Sequence, residues 1–363
     1  MIEAKDLISR DLDYICKNSK EELNLLSGKN ILITGGGGFL GYYFIKSILY
    51  WNENNFSEKK INLTILDNFI RGIPNWIKEI KETKNYNLIS HDIRFELPLN
   101  FPIYNYIIHA ASIASPIYYR KFPIETMDAN INGLRHLLDY SVKNKKDING
   151  FLFFSTSEIY GDPDPDNIPT SEEYRGNVSC TGPRACYDES KRYGETMCVN
   201  FAKHYDLPIT IARPFNNYGP GLKITDGRVI PDFAKSVLNN EDIILHSDGS
   251  PTRTFCYVAD AIIGYFKVLT ISTPGEAYNI GIEKPEISII ELAHLIVEKS
   301  RDLFGIDVEI RSKISEDKDY LTDNPNRRCP SIIKARNNIG FNPKIELADG
   351  IERTLNWYKH NFK

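Results

Sequence analysis

Leu7, Ile8, Leu12, Ile15, Leu23, Leu25 and Leu26 recur among charged residues in the first 27 positions, which close at Ser27-Gly28. That spacing predicts an amphipathic helix serving packing or an oligomer contact. From Lys29 the pattern changes. Asn30-Ile31-Leu32-Ile33-Thr34 is a short apolar run that reads as a buried strand, a glycine run follows, and Tyr42 to Trp51 reads as a helix. Ile61–Leu66, Tyr104–His109, Gly150–Phe154 and Ile209–Ala212 repeat the strand signal, with a helical stretch near 123–144. Apolar strands alternating with helices predict a parallel sheet covered on both faces. Beyond residue 212 the elements shorten and are punctuated by Asp248-Gly249-Ser250-Pro251 and Phe341-Asn342-Pro343, which predicts a smaller mixed lobe; 313–331 reads as an irregular surface loop.

Composition narrows the class. With 42% hydrophobic and 25% charged residues over 363 positions, disorder, collagen and coiled coil are excluded. No segment approaches the roughly 18 uninterrupted apolar residues of a membrane span. The opening residues mix acids with bases where a secretory signal carries an apolar run, so a cytoplasmic protein with no membrane partner is expected. Net charge is −4 without blocks of like charge, which leaves no broad footprint for nucleic acid but allows a local anion site. Cys16, Cys180, Cys186, Cys198, Cys256 and Cys329 are scattered, without a Cys-x-x-Cys pair or a histidine cluster. Reduced thiols are expected, with neither a disulfide frame nor a metal site.

Chemistry enters at Thr34-Gly35-Gly36-Gly37-Gly38-Phe39-Leu40-Gly41, between the first strand and the first helix. Gly35 permits a tight turn, Gly38 lets backbone approach a pyrophosphate at the helix N-terminus, and Gly41 lets helix and strand pack closely. Asp67 closes the second strand, where a carboxylate accepts two ribose hydroxyls and repels a 2′-phosphate, favouring NAD over NADP. The expected fold class is therefore α/β, a Rossmann-type doubly wound parallel sheet with a smaller mixed C-terminal substrate lobe. In this division 1–27 is a helical extension, 28–212 the NAD-binding domain completed by about 252–282, and 213–251 with 283–363 the substrate lobe.

Ser155-Thr156-Ser157-Glu158 follows the fourth strand of this reading, and Tyr187-Asp188-Glu189-Ser190-Lys191 lies in a helical stretch. Positions i and i+4 share a helix face, so Tyr187 and Lys191 can act on one ligand. A lysine ammonium beside a phenol lowers its pKa from about 10, making the tyrosine a base near neutral pH. Thr156 is placed to hydrogen-bond the same substrate hydroxyl.

Together these residues resemble the extended short-chain dehydrogenases/reductases that act on nucleotide sugars, over about residues 28 to 360. Within them, the chain is most similar to the UDP-glucuronate decarboxylases, on His109–Pro116, Ser155–Pro163, Gly182–Glu189, Asp226–Val229 and Thr252–Val258. The resemblance implies that Thr156, Tyr187 and Lys191 run an oxidation, with Glu158 as a second acid/base group and Arg253 stabilising the anion that develops. It implies cofactor contacts from Gly35, Gly38, Phe39, Leu40 and Gly41, from Asp67 and Asn68, and from Asp92 and Ile93 by the adenine. Ala110, Ala111, Tyr187 and Lys191 complete the cofactor set. Ser112, Ser157, Asn216, Arg228, Arg253 and Arg328 are implied to hold the nucleotide sugar. The chain departs from the family at Ile113 for proline, at Ser331 for aspartate, in a loop after Asp67 without the usual basic pair, and in its extra N-terminal helix.

The implied reaction oxidises C4 of a glucuronate, which places the carboxylate β to a ketone so that CO2 leaves as an enolate forms. Reduction of the ketone then restores NAD. A nucleotide-sugar 4,6-dehydratase is the alternative, followed by a 4-epimerase; a silent NAD-binding subunit is the non-enzyme alternative. Related families pair two helices, here 123–143 and Tyr187 to about His204, across a two-fold axis, which implies a homodimer.

Overall fold

The computed structural model describes residues 4–54, 56–80, 84–313, 322 and 325–361. Residues 1–3 and most of the loop expected over 313–331 lie outside the described residues. The strands of the main sheet are β1 (Asn30–Thr34), β2 (Asn62–Asp67), β3 (Tyr86–Ser90), β4 (Tyr106–His109), β5 (Gly150–Phe154), β6 (Ile209–Pro214) and β7 (Ala277–Ile280). All neighbouring pairs are parallel, in the order β7-β6-β5-β4-β1-β2-β3. β1 is the point where the order reverses, and open α/β sheets bind ligands outside the strand ends there. Register sharpens this: Thr34 stands opposite both Leu66 and His109, so β1, β2 and β4 end level and release Gly35, Asp67 and Ala110 along one rim.

Side chains of β1 divide two packing layers, since successive residues of a strand point to opposite faces. Ile31 and Ile33 join one core cluster with Phe44, Ile45 and Phe266; Leu32 joins the other with Leu134, Leu137 and Phe153. The first layer holds α1 (Ala4–Asn18), α2 (Lys20–Leu26) and α3 (Phe39–Glu53), and the second α4 (Pro123–Lys143) and α5 (Ala185–Tyr205). Two later helices, α6 (Val258–Ile271) and α7 (Leu347–Asn361), belong to the first layer.

The N-terminal segment expected as one helix is two, meeting at the fully buried Ser19. Leu7, Leu12, Ile15, Leu23 and Leu26 are buried within the chain's own core, whereas Leu25 is half exposed. The extension thus packs on this chain, with Asp11 buried among Tyr43, Tyr257 and Arg353. Strand β3, at the sheet edge, has no counterpart in the hydrophobic pattern because its exposed Asn87 and Leu88 erase the alternation. Short strands Thr252–Arg253, Ile287–Ser288 and Arg327–Arg328 form a small three-stranded sheet beside the main one.

Candidate active site

The turn after β1 is set by steric limits. Gly35 has φ +71°, and a Cβ there would sit 2.6 Å from the Ala111 backbone; at Gly41 it would sit 2.4 Å from the Gly36 carbonyl oxygen. Gly38 caps α3 without a side-chain hydrogen bond, leaving the backbone N–H groups and positive dipole end of a 15-residue helix available to phosphate. A cavity of about 600 Å³ opens over this turn. Gly35, Gly38 and Phe39 line it, as do Asp67, Asn68, Asp92 and Ile93, and Ala110, Ala111 and Ser112 from the β4 end. The Leu40 side chain packs against the core and Gly41 lies against Gly36, so these two first-turn residues of α3 can meet a phosphate only through their backbone.

Asp67 accepts the Gly37 N–H at 2.9 Å on Oδ2 and the Phe69 N–H at 2.7 Å on Oδ1. Burial pushes its carboxyl up, and those two donors oppose the shift. Asp92 is fixed by Arg94 and by Asn68 Nδ2 at 3.1 Å. Burial works against its charge, but these donors hold its carboxyl below the ordinary range. The glycine cradle, the open helix end and the carboxylate at the β2 terminus fit a dinucleotide with free ribose hydroxyls.

Past β5, Thr156 caps the short helix Ser157–Tyr160, its hydroxyl accepting the Glu158 N–H at 3.2 Å. The same hydroxyl favours ionisation of the Tyr187 phenol on α5. Tyr187 is buried and stacks on Tyr119, with ring centroids 5.1 Å apart and planes 6° from parallel. Tyr187 and Lys191 share a face of α5 as the spacing required, but their electrostatics differ from expectation. Burial, aided by the Glu158 and Asp188 charges, pushes the phenol up to about 12. Lys191 donates Nζ to the Phe154 carbonyl at 2.7 Å, and burial lowers it to about 7. The expected lowering of the phenol by the lysine is therefore corrected: Nζ lies 5.9 Å from the Tyr187 ring centre, and desolvation outweighs any help from it.

Glu158 sits in a nest of arginines. Arg328 binds it through both nitrogens, Nη2 at 2.6 Å, and Arg184 reaches the same carboxylate with Nη2. Burial favours its neutral form, but Arg184, Arg328 and Arg253 hold the carboxyl down at about 2. These cations favour the ionised carboxylate, the form from which an acid/base group starts by accepting a proton. Arg253 and Arg328 stand opposite each other in strand register, both buried, which gathers the cations. Arg253 also donates to the carbonyls of Thr252 and Pro325, each at 2.7 Å.

The chain matches the NAD dependent epimerase/dehydratase family over residues 31–281. It belongs to that family. UDP-glucuronic acid decarboxylase 6 of Arabidopsis thaliana is 35% identical over 90% of this chain and 87% of its own length. UDP-glucuronic acid decarboxylase 1 of Xenopus tropicalis is 36% identical over 91% and 72%. Among solved structures, a dTDP-glucose 4,6-dehydratase from Streptomyces venezuelae with NAD bound has a TM-score of 0.77 at 24% identity, covering 92% of this chain and 97% of its own. A UDP-glucose 4-epimerase from Thermotoga maritima has a TM-score of 0.78, also at 24%, covering 92% and 100%. These two establish the fold. NAD is the cofactor of this family member.

Of the remaining expected substrate residues, Ser157 is buried beside Glu158, and the Ser112 hydroxyl is buried without a hydrogen-bond partner. Arg228 pairs with Asp226 at 2.8 Å where Val229–Leu238 begins, and Asn216, at φ +40°, donates Nδ2 to the Thr254 carbonyl. Arg184, Asp188 and Tyr119 belong to the site without having been singled out. Arg184 and Asp188 did carry a signal, an opposite-charge pair at i and i+4 flanking Tyr187. Tyr119 carried none. The six cysteines are free thiols, four of them buried.

Proposed function

We propose that this protein is an NAD-dependent decarboxylase that converts UDP-glucuronate to UDP-xylose through a 4-keto intermediate. One observation carries the reading: Arg184 and Arg328 bind the Glu158 carboxylate and the buried Arg253 adds its charge, while the same carboxylate acts on the Tyr187 phenol. Such a cluster is complementary to a sugar bearing its own carboxylate and gives a neutral hexose no compensating charge. The similarity to UDP-glucuronic acid decarboxylases over most of the chain supports the same substrate.

In this scheme Thr156 and Tyr187 hold the C4 hydroxyl, and Tyr187 takes its proton. Gly35, Gly38 and Asp67 would hold NAD, which would supply hydride-transfer chemistry at C4 in both directions. Arg253 and Arg328 stabilise the negative charge that forms on the ketone oxygen as CO2 leaves. A proton from water enters at C5, and Tyr187 gives its proton back to the C4 oxygen, so NAD is not consumed. Lys191 orients the cofactor from the Tyr187 face.

The proposal keeps the division into 28–212 with about 252–282 for NAD, and 213–251 with 283–363 for the nucleotide sugar. It includes a homodimer built on α4 and α5 and a cytoplasmic location, checked by light scattering against the 41.6 kDa chain mass and by cell fractionation. Incubation with UDP-glucuronate followed by mass spectrometry tests the reaction. Loss of CO2 with NAD unchanged is expected; inertness there, with loss of water from a neutral hexose nucleotide, establishes the dehydratase instead.

A further inference from the structure

The run Gly182–Glu189 contributes Tyr187 to the scheme above, which gives Arg184 and Asp188 no step, although Asp188 is buried and the Arg184 side chain is only 12% exposed. The Arg184 guanidinium reaches Glu158 with Nη2, places Nε 3.6 Å from Asp188 Oδ2, and lies 5.9 Å over the Tyr119 ring. Tyr119 in turn stacks on Tyr187. One guanidinium thus touches Glu158 and the aromatic wall of the base.

We propose that Arg184, held by Asp188, is a positioning residue that fixes the Glu158 carboxylate relative to the Tyr187 phenol. Arg328 already satisfies the Glu158 charge with a two-pronged contact from a strand of the small sheet. A second, largely desolvated guanidinium adds little to net stability, because the cost of taking it out of water offsets the attraction it gains. Its geometric effect is larger. Arg328 alone leaves the carboxylate free to move with that strand; Arg184, at the N-terminus of α5, anchors it to the helix that carries Tyr187. Helix spacing adds a second constraint, since Asp188 follows Arg184 at i+4 and sets its carboxyl 3.6 Å from Nε, an electrostatic contact rather than a hydrogen bond, at a different nitrogen from the one that meets Glu158 Oε2.

The proposal rests on the decarboxylase reading, and one set of variants separates the two. Wild type, Arg184→Met, Arg184→Lys and Asp188→Asn are compared on UDP-glucuronate across pH, with NAD affinity measured in parallel. Arg184→Met lowers kcat about a hundredfold, as misplacement near 1 Å does. KM moves by less than about threefold, because the lost interaction acts in the transition state. NAD affinity is unchanged. The acid limb of kcat moves to higher pH, since Glu158 keeps Arg328 and Arg253 but loses one cation, with Asp188, Tyr187 and Tyr119 still facing it. Arg184→Lys recovers part of kcat, and Asp188→Asn shows a smaller loss of the same kind. Wild-type kcat with an unmoved acid limb in Arg184→Met overturns the proposal, as does a change confined to KM. Should Arg184→Met not fold, Asp188→Asn with wild-type kcat overturns it equally. A wild type inert toward UDP-glucuronate removes the functional reading first, before any variant is compared.

Discussion

Arg353 donates Nη1 to Asp11 Oδ1 at 2.9 Å, tying the N-terminal extension to α7 across 342 residues. Asp11 has no exposed surface, and its other oxygen accepts the hydroxyls of Tyr43 at 2.9 Å and Tyr257 at 2.6 Å. Tyr42, beside Tyr43, and Trp357 and Tyr358 of α7 line the cofactor cavity. Asp11 therefore braces two of its walls. Asp11→Ala leaves two hydroxyls and Arg353 Nη1 without their acceptor, while Arg353 Nε and Nη2 keep Asp349, and is expected to cost about 3 kcal/mol in urea unfolding. Tyr43→Phe costs about 1 kcal/mol. NAD affinity should fall with the first substitution more than with the second.

Tyr187→Phe keeps the stack on Tyr119 while deleting the proton acceptor. NAD binding by calorimetry is expected to stay within about twofold, because only a phenolic oxygen is lost. Turnover falls by about a thousandfold, the scale of a positioned general base. Turnover at the wild-type rate assigns the proton transfer to another group.

Lys191 links folding to pH. Burial lowers it from 10.5 to about 7, so between those values the unfolded chain binds a proton that the folded chain has released. Stability contributed at this position therefore rises as pH climbs from about 7 toward 10.5 and is lower below that window. Lys191→Met removes the term. Its stability, followed by urea unfolding at several pH values, should gain less over that window than wild type does.

Gly35→Ala pushes a methyl into the Ala111 backbone at a φ that an L side chain rarely adopts. Loss of NAD binding is expected together with a stability cost of about 1–3 kcal/mol. Gly38→Ala is the contrast: its φ is −82° and its closest contact is the Gly35 carbonyl oxygen at 3.2 Å, so a folded protein with weakened NAD affinity should result. Nucleotide titration and thermal unfolding of the pair distinguish the turn's geometry from its contact with ligand.

The sequence alone determined the parts of the protein whose physics is local. A strand, a glycine turn and a helix follow one another within about twenty residues, so the turn's steric demand is written in the chain. Asp67 is legible because it ends the next strand, and Tyr187 with Lys191 because one helical turn brings them to one face. The double covering of the sheet follows from strands that are apolar on both sides. Tertiary structure decided the rest. Arg253 and Arg328 become neighbours through strand register, Arg328 meets Glu158 across 170 residues, and Arg184 reaches Glu158 from the start of another element. The directions of the pKa shifts followed from that assembly, arginines pulling Glu158 down and burial lowering Lys191 and raising Tyr187. Residue types and spacing carry no record of which charges will share a water-poor interior. Desolvation and Coulomb attraction act through space, so the acid–base character of this site exists only once the chain has folded.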